Sequence, residues 1–414
     1  MFSSTSPPVP RHFRLGLNDS TLALLAATIL LVSAAIWCAH GPNAEKTDFS
    51  LTYVGARIIY QGLGHNLYDL TLQKQTRDSL FEHPSPLFFE HPPFEALLFS
   101  PLAAFSFRTA YLIWGLFNAV VWLFLIYFLR PHLPWPAEDL GYVFLWLLFA
   151  PLGVALYQGQ SSLVLLALYA ISFVCLKHRK ESLAGFVLGL GLFKFQLVLP
   201  FVLILAFRKK WRFLSGFAIT SFFLFLLSMI AVSWRGLADY IRFVLTIGNN
   251  PQNESYGSAV DMPTISGLLY ALFRGKVGHG SLNVAVAVAS LLLLAFVAWR
   301  WRSNLSNESF DLMFAAAVAA ALLTSSHMFT HDFSPLVLPM FLAGARSTER
   351  SSSSWLLRLA LVLLWAFPVY FALVTWHSLY LLSLVLFLFA YSAIYRAGRL
   401  AQSQPELRTI GAKC

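Results

Sequence analysis

The sequence predicts an all-α polytopic membrane protein: a bundle of about twelve transmembrane helices with a long first extracytoplasmic loop that carries surface helices. Three observations predict it. Of 414 residues, 58% are hydrophobic and only 12% charged, with a mean hydropathy of +0.66, whereas a soluble domain carries about 25% charged residues. Apolar stretches recur along the chain, and the basic residues between them fall into short clusters, as loops on the cytoplasmic side do. One polar interval, Gly41–Pro93, is far longer than a turn between spans requires, and seven of the nineteen acidic residues lie between Glu45 and Glu95. A long loop held against a membrane is more often functional than a connector.

The net charge of +10 and a pI near 9.6 would point to nucleic acid in a soluble protein. Here the clustered Lys and Arg account for both, and no nucleic-acid partner is expected. Cys38, Cys175 and Cys414 show neither metal-ligand spacing nor a disulfide framework. Residues 21–36 resemble a signal-peptide core, but no A-x-A cleavage site comes after them, so they read as a retained first span.

In chain order, residues 1–18 form a polar cytoplasmic tail containing Arg11 and Arg14. A membrane-embedded domain spans 19–395, then a second cytoplasmic tail covers 396–414. Span 1 covers 19–39. The first outer loop, 40–108, holds a helix from Asp48 to Gln61, stopped by Gly62 and Gly64, and a second from Leu70 to Phe81. Pro84, Pro86, Pro92 and Pro93 keep the chain beyond Phe81 from continuing as helix. Residues 94–107 are apolar but too short to cross, and are expected on the outer surface.

The clusters Lys177–Lys180, Arg208–Arg212, Arg300–Arg302, Arg346–Arg350 and Arg396–Arg399 share the cytoplasmic side under one layout. Its spans are 109–129, 140–157, 161–176, 182–193, 196–207, 213–233, 282–299, 310–326, 333–345, 355–375 and 378–395. Lys194 then sits at the outer turn between two short spans. The second outer loop, 234–281, carries surface helices at Leu237–Ile247 and Ile265–Phe273 around the polar run Gly248–Glu254.

This layout gathers outer polar groups in four places: Asp48; Glu90-His91-Pro92-Pro93; Gln158-Gly159-Gln160 with Lys194; and His327 with His331-Asp332. All lie at the level of lipid headgroups, which points to chemistry there. Each also has a structural explanation. Asp48 can cap the helix beginning at Phe49. Pro92-Pro93 can stop the chain before the surface helix, and His91 can be an interfacial side chain. Gln158-Gly159-Gln160 fits a tight turn, and Lys194 can snorkel to the interface. His327, His331 and Asp332 can be hydrogen-bonded turn residues, or, by the His-x3-His-Asp spacing, metal ligands. No cofactor is called for, and a divalent metal is not indicated beyond that spacing.

The set Asp48-x4-Tyr53-x2-Ala56-x5-Gly62, Leu67-Tyr68-Asp69, Glu90-His91-Pro92-Pro93-Phe94 and Ser100-Pro101-Leu102-Ala103 resembles glycosyltransferase family 87. So do Gly159-Gln160, Ala184-Gly185 through Lys194 to Arg208-Lys209-Lys210-Trp211-Arg212, and the His327/His331-Asp332 segment before Pro339. The ordered resemblance spans roughly residues 45–345. It departs from the family at Asp261-Met262-Pro263-Thr264-Ile265-Ser266, where relatives often carry an Asn-x-Ser-like element.

The resemblance implies a GT-C-type bundle and transfer of a hexose (mannose-like) or pentose from a polyprenyl-phosphate donor to a lipid or glycan acceptor. The reaction would occur at the extracytoplasmic face of the cell membrane. It also implies a single acidic residue early in the first outer loop as general base, here Asp48. A phosphate leaves as a stabilised anion, so the second, protonating carboxylate of a glycoside hydrolase is not required. Expected substrate contacts are Lys194 first, then Arg57, His327 and His331 as cations, with Tyr53, Tyr68, Glu90, His91, Gln160 and Asp332.

Three other readings share the outer location. A polyprenyl-lipid transporter or flippase should carry ionisable residues in mid-span and matched broken helices in two halves, and the long spans are nearly free of charge. An O-antigen-ligase-like enzyme or a lipid phosphatase would act at the same interface; a phosphatase would need an Arg/His/Ser or His/Asp set arranged for phosphoryl transfer, and no such set has clear spacing. A structural envelope subunit would leave the long loop unexplained.

Overall fold

The computed structural model of the chain describes residues 19–133, 140–246, 261–301, 305–344 and 354–411. Expectations about the tail 1–18, the run Gly248–Glu254, Arg302, Arg346, Arg350 and residues 412–414 fall outside them. The described residues form eighteen α-helices joined by short 3-10 turns and no strand.

The first helix, α1 (Asp19–His40), packs against α5 (Phe107–Leu129). Arg108 donates to the His40 carbonyl at 3.1 Å, and Gly115 faces Ala35, so the two run antiparallel. Between them lie α2 (Asp48–Tyr60), α3 (Leu70–Leu80) and α4 (Pro93–Phe99). The first two match the expected loop helices within a residue or two, and Gly62 adopts the positive φ (75°) that ends α2. The single surface helix expected over 94–107 is instead α4 followed by a 3-10 stretch, Ser100–Ala104, with Pro101 in its first turn. The loop helices build a satellite core of Phe49, Tyr53, Ile58, Phe81, Phe99 and Tyr111, with Val232 and Phe243 contributed from far along the chain. The long loop is therefore a folded cap.

Next come α6 (Leu140–Leu148) and α7 (Ala150–Gln158), expected as one span but bent by 52° at Phe149. Pro151 in the first turn of α7 has no N–H with which to continue α6. The same correction applies to 355–375. It divides into α16 (Ser354–Trp365) and α17 (Phe367–Thr375), bent by 65°, again with proline in the second helix's first turn.

The helices α8 (Ser162–Lys177), α9 (Glu181–Gly189) and α10 (Phe195–Phe207) carry the central turn. Residues 181–207 are together long and apolar enough for one crossing. A straight helix of that length would extend about 40 Å, yet Lys210 and Glu181, at its two ends, pair at 2.6 Å. The chain therefore doubles back, through the 3-10 turn Leu190–Lys194, and Lys194 stands at the apex (φ −119°, ψ 58°) as expected. The helix that begins at Trp211 then packs tightly on α9: Gly185 and Gly216 each lie against the other helix's backbone, where a Cβ would not fit.

Helix α11 (Trp211–Thr246) breaks at Ser233 (φ 62°), which divides the expected span from the expected surface helix. Its buried positions below the break are Phe213, Gly216, Thr220, Leu224, Ser228 and Val232, three of the six small or polar, while Phe222, Phe223, Leu226 and Ile230 are exposed. Small and polar residues on the inner face, with large apolar ones outside, make the pattern of a helix facing lipid. Helices α12 (Ile265–Phe273), α13 (His279–Arg300), α14 (Asn307–Leu323), α15 (Val337–Gly344) and α18 (Leu382–Gly411) complete the bundle. The Ala-rich α14 is buried from Asp311 to Leu323 and forms its centre.

Among the described residues six stretches are long and apolar enough to cross a bilayer, and up to eight if each bent pair is one span. The protein is a multi-pass membrane protein. Its two ends differ in charge. At one end Lys177 pairs with Asp311 at 2.8 Å, Arg208 lies 4.9 Å over Trp301, and His132 meets His178. The opposite end, where α1, α7, α9 and α14 finish, holds the cap and a cluster of polar groups.

Candidate active site

A cavity of about 320 Å³ lies beneath the cap, within the usual range of small-molecule sites of about 300–1,000 Å³. Eight of the eleven residues expected at the site line it: Asp48, Glu90, His91, Gln160, Lys194, His327, His331 and Asp332. They come from separate regions of sequence.

Asp48 opens α2, but Thr47 holds the N-cap position and Asp48 makes no capping bond. The capping explanation therefore fails. The turn after α7 grips Asp48 twice: Gln158 accepts from its backbone N–H at 3.1 Å, and Gln160 Nε2 donates to carboxylate Oδ2 at 2.7 Å. Gly159 makes this grip possible. Its φ is 62°, and a Cβ there would come within 2.6 Å of Phe49 Cβ. His331 Nδ1 stands 4.0 Å from Oδ2, and the carboxylate remains 25% exposed to the cavity.

The other acids differ in how far they are committed. Asp332 is buried and holds Lys194, the His331 ring at 3.4 Å and the Phe329 N–H at 3.1 Å. Burial would raise its carboxyl, but His331, Lys194 and the Phe329 amide outweigh that and hold it well below the usual range. Burial is also the largest influence on His331 and pushes its ring below the ordinary imidazole value, Lys194 adding to that against Asp332 and Asp48. Lys194 is 3% exposed and ion-paired, which removes the snorkelling explanation. An ammonium has three donors, so the pairing leaves donors for the cavity that Lys194 lines. Glu90 is 26% exposed, with His327 Nε2 at 3.9 Å.

Three expected contacts lie elsewhere. Arg57 donates to the Ala103 carbonyl at 2.8 Å, Tyr53 to the Phe105 carbonyl at 2.7 Å, and Tyr68 to the His91 carbonyl at 2.7 Å. None lines the cavity. The first two tie α2 to the turn after α4, and Tyr68 supports the loop beneath His91. The 327–331 segment is not α-helical, so the His-x3-His spacing does not bring its rings to one helix face. Among the described residues no three His, Cys, Asp or Glu side chains are grouped to hold a metal ion. Sequence reasoning missed Glu95, 2% exposed, which accepts from Ser161 at 3.0 Å and contacts His91 Nδ1 at 2.6 Å. The signal was the i,i+4 spacing of His91 and Glu95, with an acid inside an apolar helix.

Pro92, Phe195 and Val244 also line a second depression, an apolar groove between α4, the start of α10 and both arms of α11. The polar cavity and the lipid-facing groove therefore share a wall.

Fold and site together define a helical membrane protein with a carboxylate-bearing cavity at one end of the bundle. The profile of glycosyltransferase family 87 matches residues 88–326, more than half of the chain, and the protein belongs to that family: it is a membrane glycosyltransferase. The matched region contains Glu90, His91, Gln160 and Lys194, whereas Asp48, His327, His331 and Asp332 lie outside it. No curated protein and no solved structure matches the chain.

Proposed function

We propose that this glycosyltransferase moves a hexose (mannose-like) or a pentose from a polyprenyl-phosphate donor to a hydroxyl of a lipid or glycan acceptor, with inversion, and that Asp48 is the general base. One observation carries the reading: the partly exposed Asp48 carboxylate shares a cavity with the Lys194 ammonium and the imidazoles of His91, His327 and His331, and that cavity adjoins an apolar groove. The groove suits an isoprenoid chain, the wall that carries Lys194 and His91 the phosphate, and the cavity the sugar.

Gln160 occupies Oδ2 of Asp48, leaving Oδ1 for the acceptor O–H. The acceptor oxygen attacks the anomeric carbon opposite the phosphate, its proton passes to Asp48, and the bond from carbon to phosphate oxygen breaks with both electrons on the phosphate. The cationic side chains offset the charge that develops there. A β-linked mannosyl donor then gives an α-linked product.

Membranes containing the protein, offered a panel of polyprenyl-phosphate sugars and the corresponding nucleotide sugars, are expected to transfer only from a lipid-linked donor. Direct transfer from a nucleotide sugar in washed membranes would overturn the donor class.

The proposal also sets sidedness: a twelve-pass layout with the basic end cytoplasmic and the cavity extracytoplasmic. Lys74 in the cap and Lys180 at the basic end are both exposed. A membrane-impermeant thiol reagent on intact cells should label Lys74→Cys and spare Lys180→Cys until the cells are opened. The reverse pattern would place the active site in the cytoplasm.

A further inference from the structure

Glu95 is a buried carboxylate that the chemistry above leaves unused. It sits in the first turn of α4, and its partners among the described residues are Ser161 and His91. A carboxylate this deep is stable only when paired, and among the described residues the ring 2.6 Å away is the one basic group within ion-pair distance. The contact uses His91 Nδ1, so the opposite ring nitrogen, Nε2, is the one left for the cavity that His91 lines. Three further restraints fix the ring. Tyr68 holds the His91 carbonyl, Phe89 lies 5.7 Å from the ring centre, and Pro92-Pro93 set the chain direction into α4.

We propose that Glu95 is a positioning residue: it holds His91 as an imidazolium whose Nε2–H donates to the phosphate of the lipid-linked donor. This rests on the donor class proposed above. Ser161, at the start of α8, takes the second oxygen of Glu95 and so ties the phosphate-facing histidine to the same turn that grips Asp48. Base and phosphate contact are thereby set against one frame. The charged groups around His91 agree with the assignment. Burial opposes protonation, but Glu95, through charge and hydrogen bond, reverses it and raises the ring above its ordinary value; Glu90 adds to the effect and Lys194 opposes it.

The test uses full-length protein in detergent and two probes with the same chain, undecaprenyl monophosphate and undecaprenol. Wild type is expected to prefer the phosphate, and to lose the His91 share of that preference, leaving that of Lys194, as pH rises through the elevated range of His91. Glu95→Gln should reduce the preference about tenfold or more, the scale of one charge-assisted contact, with undecaprenol affinity unchanged. It should also move the pH at which preference is lost downward, because burial then dominates the ring. Adding Glu95→Gln to His91→Gln should change nothing further.

Equal weakening toward both lipids, or an unmoved pH profile, would reduce Glu95 to a packing role. A wild type that binds both lipids equally would instead remove the donor class, a different failure. If Glu95→Gln does not fold, wild type and His91→Gln decide: a pH-dependent preference surviving in His91→Gln overturns the proposal.

Discussion

Asp48→Asn should lower transfer by about 10²- to 10⁴-fold, the usual cost of removing a general base, in a protein that folds and still binds the donor lipid. Asn keeps an oxygen for the Gln160 amide, and Thr47 rather than Asp48 occupies the N-cap, so the local structure survives. What α2 loses is a negative charge in its first turn, a matter of about 0.3–1 kcal/mol. The size of the rate effect reflects the shortage of substitutes. Asp332 is committed to Lys194, His331 and the Phe329 amide, and Glu95 to His91 and Ser161. Glu90 is the one other carboxylate lining the cavity with comparable exposure.

Glu90→Gln therefore serves as the comparison and should change transfer only a few-fold. Asp48→Glu should be partly active at best, because the longer side chain carries the oxygen out of the Gln160 grip. The assay is transfer of labelled sugar by equal amounts of folded protein. Near-normal turnover in Asp48→Asn together with collapse in Glu90→Gln would move the base to Glu90.

Much of this architecture was legible in sequence because membranes constrain it strongly. Hydropathy and clustered Lys and Arg located the apolar helices, and glycines and prolines marked the ends of the cap helices at Gly62 and before Pro93. Even the hairpin apex at Lys194 could be read from charge placement alone. Bends were less legible. Pro151 and Pro368 sit within continuously apolar runs, and hydropathy does not register a change of direction.

At the candidate site, residue types pointed to positions that the fold brings together, but not to their partners. Arg57 looked like a phosphate ligand because it is a cation near Asp48 in sequence; it bonds the Ala103 carbonyl because α2 directs it toward the turn after α4. Asp332 is expected as a substrate contact; it lines the cavity, and it is also buried as the counter-ion of Lys194. Pairings such as Gln160 with Asp48, or Lys194 with Asp332, join residues more than a hundred positions apart. No local spacing rule contains such information.

The Lys194–Asp332 pair gives the second large effect, and a neutral double variant separates its two consequences. Both groups are buried, so Lys194→Met leaves a carboxylate without its main cation, a change that costs about 3–5 kcal/mol in buried pairs. Thermal unfolding in detergent should show a marked loss of stability, and transfer should fall with it. Adding Asp332→Asn removes the stranded charge while keeping an acceptor for the Phe329 amide, so stability should largely return. Activity should not. If the remaining donors of the Lys194 ammonium meet the departing phosphate, the double variant stays roughly 10- to 150-fold below wild type, the range for one charge-assisted contact of about 1.5–3 kcal/mol. Recovery of transfer to within a few-fold of wild type would make Lys194 a structural partner of Asp332 and leave the histidines alone to receive the phosphate.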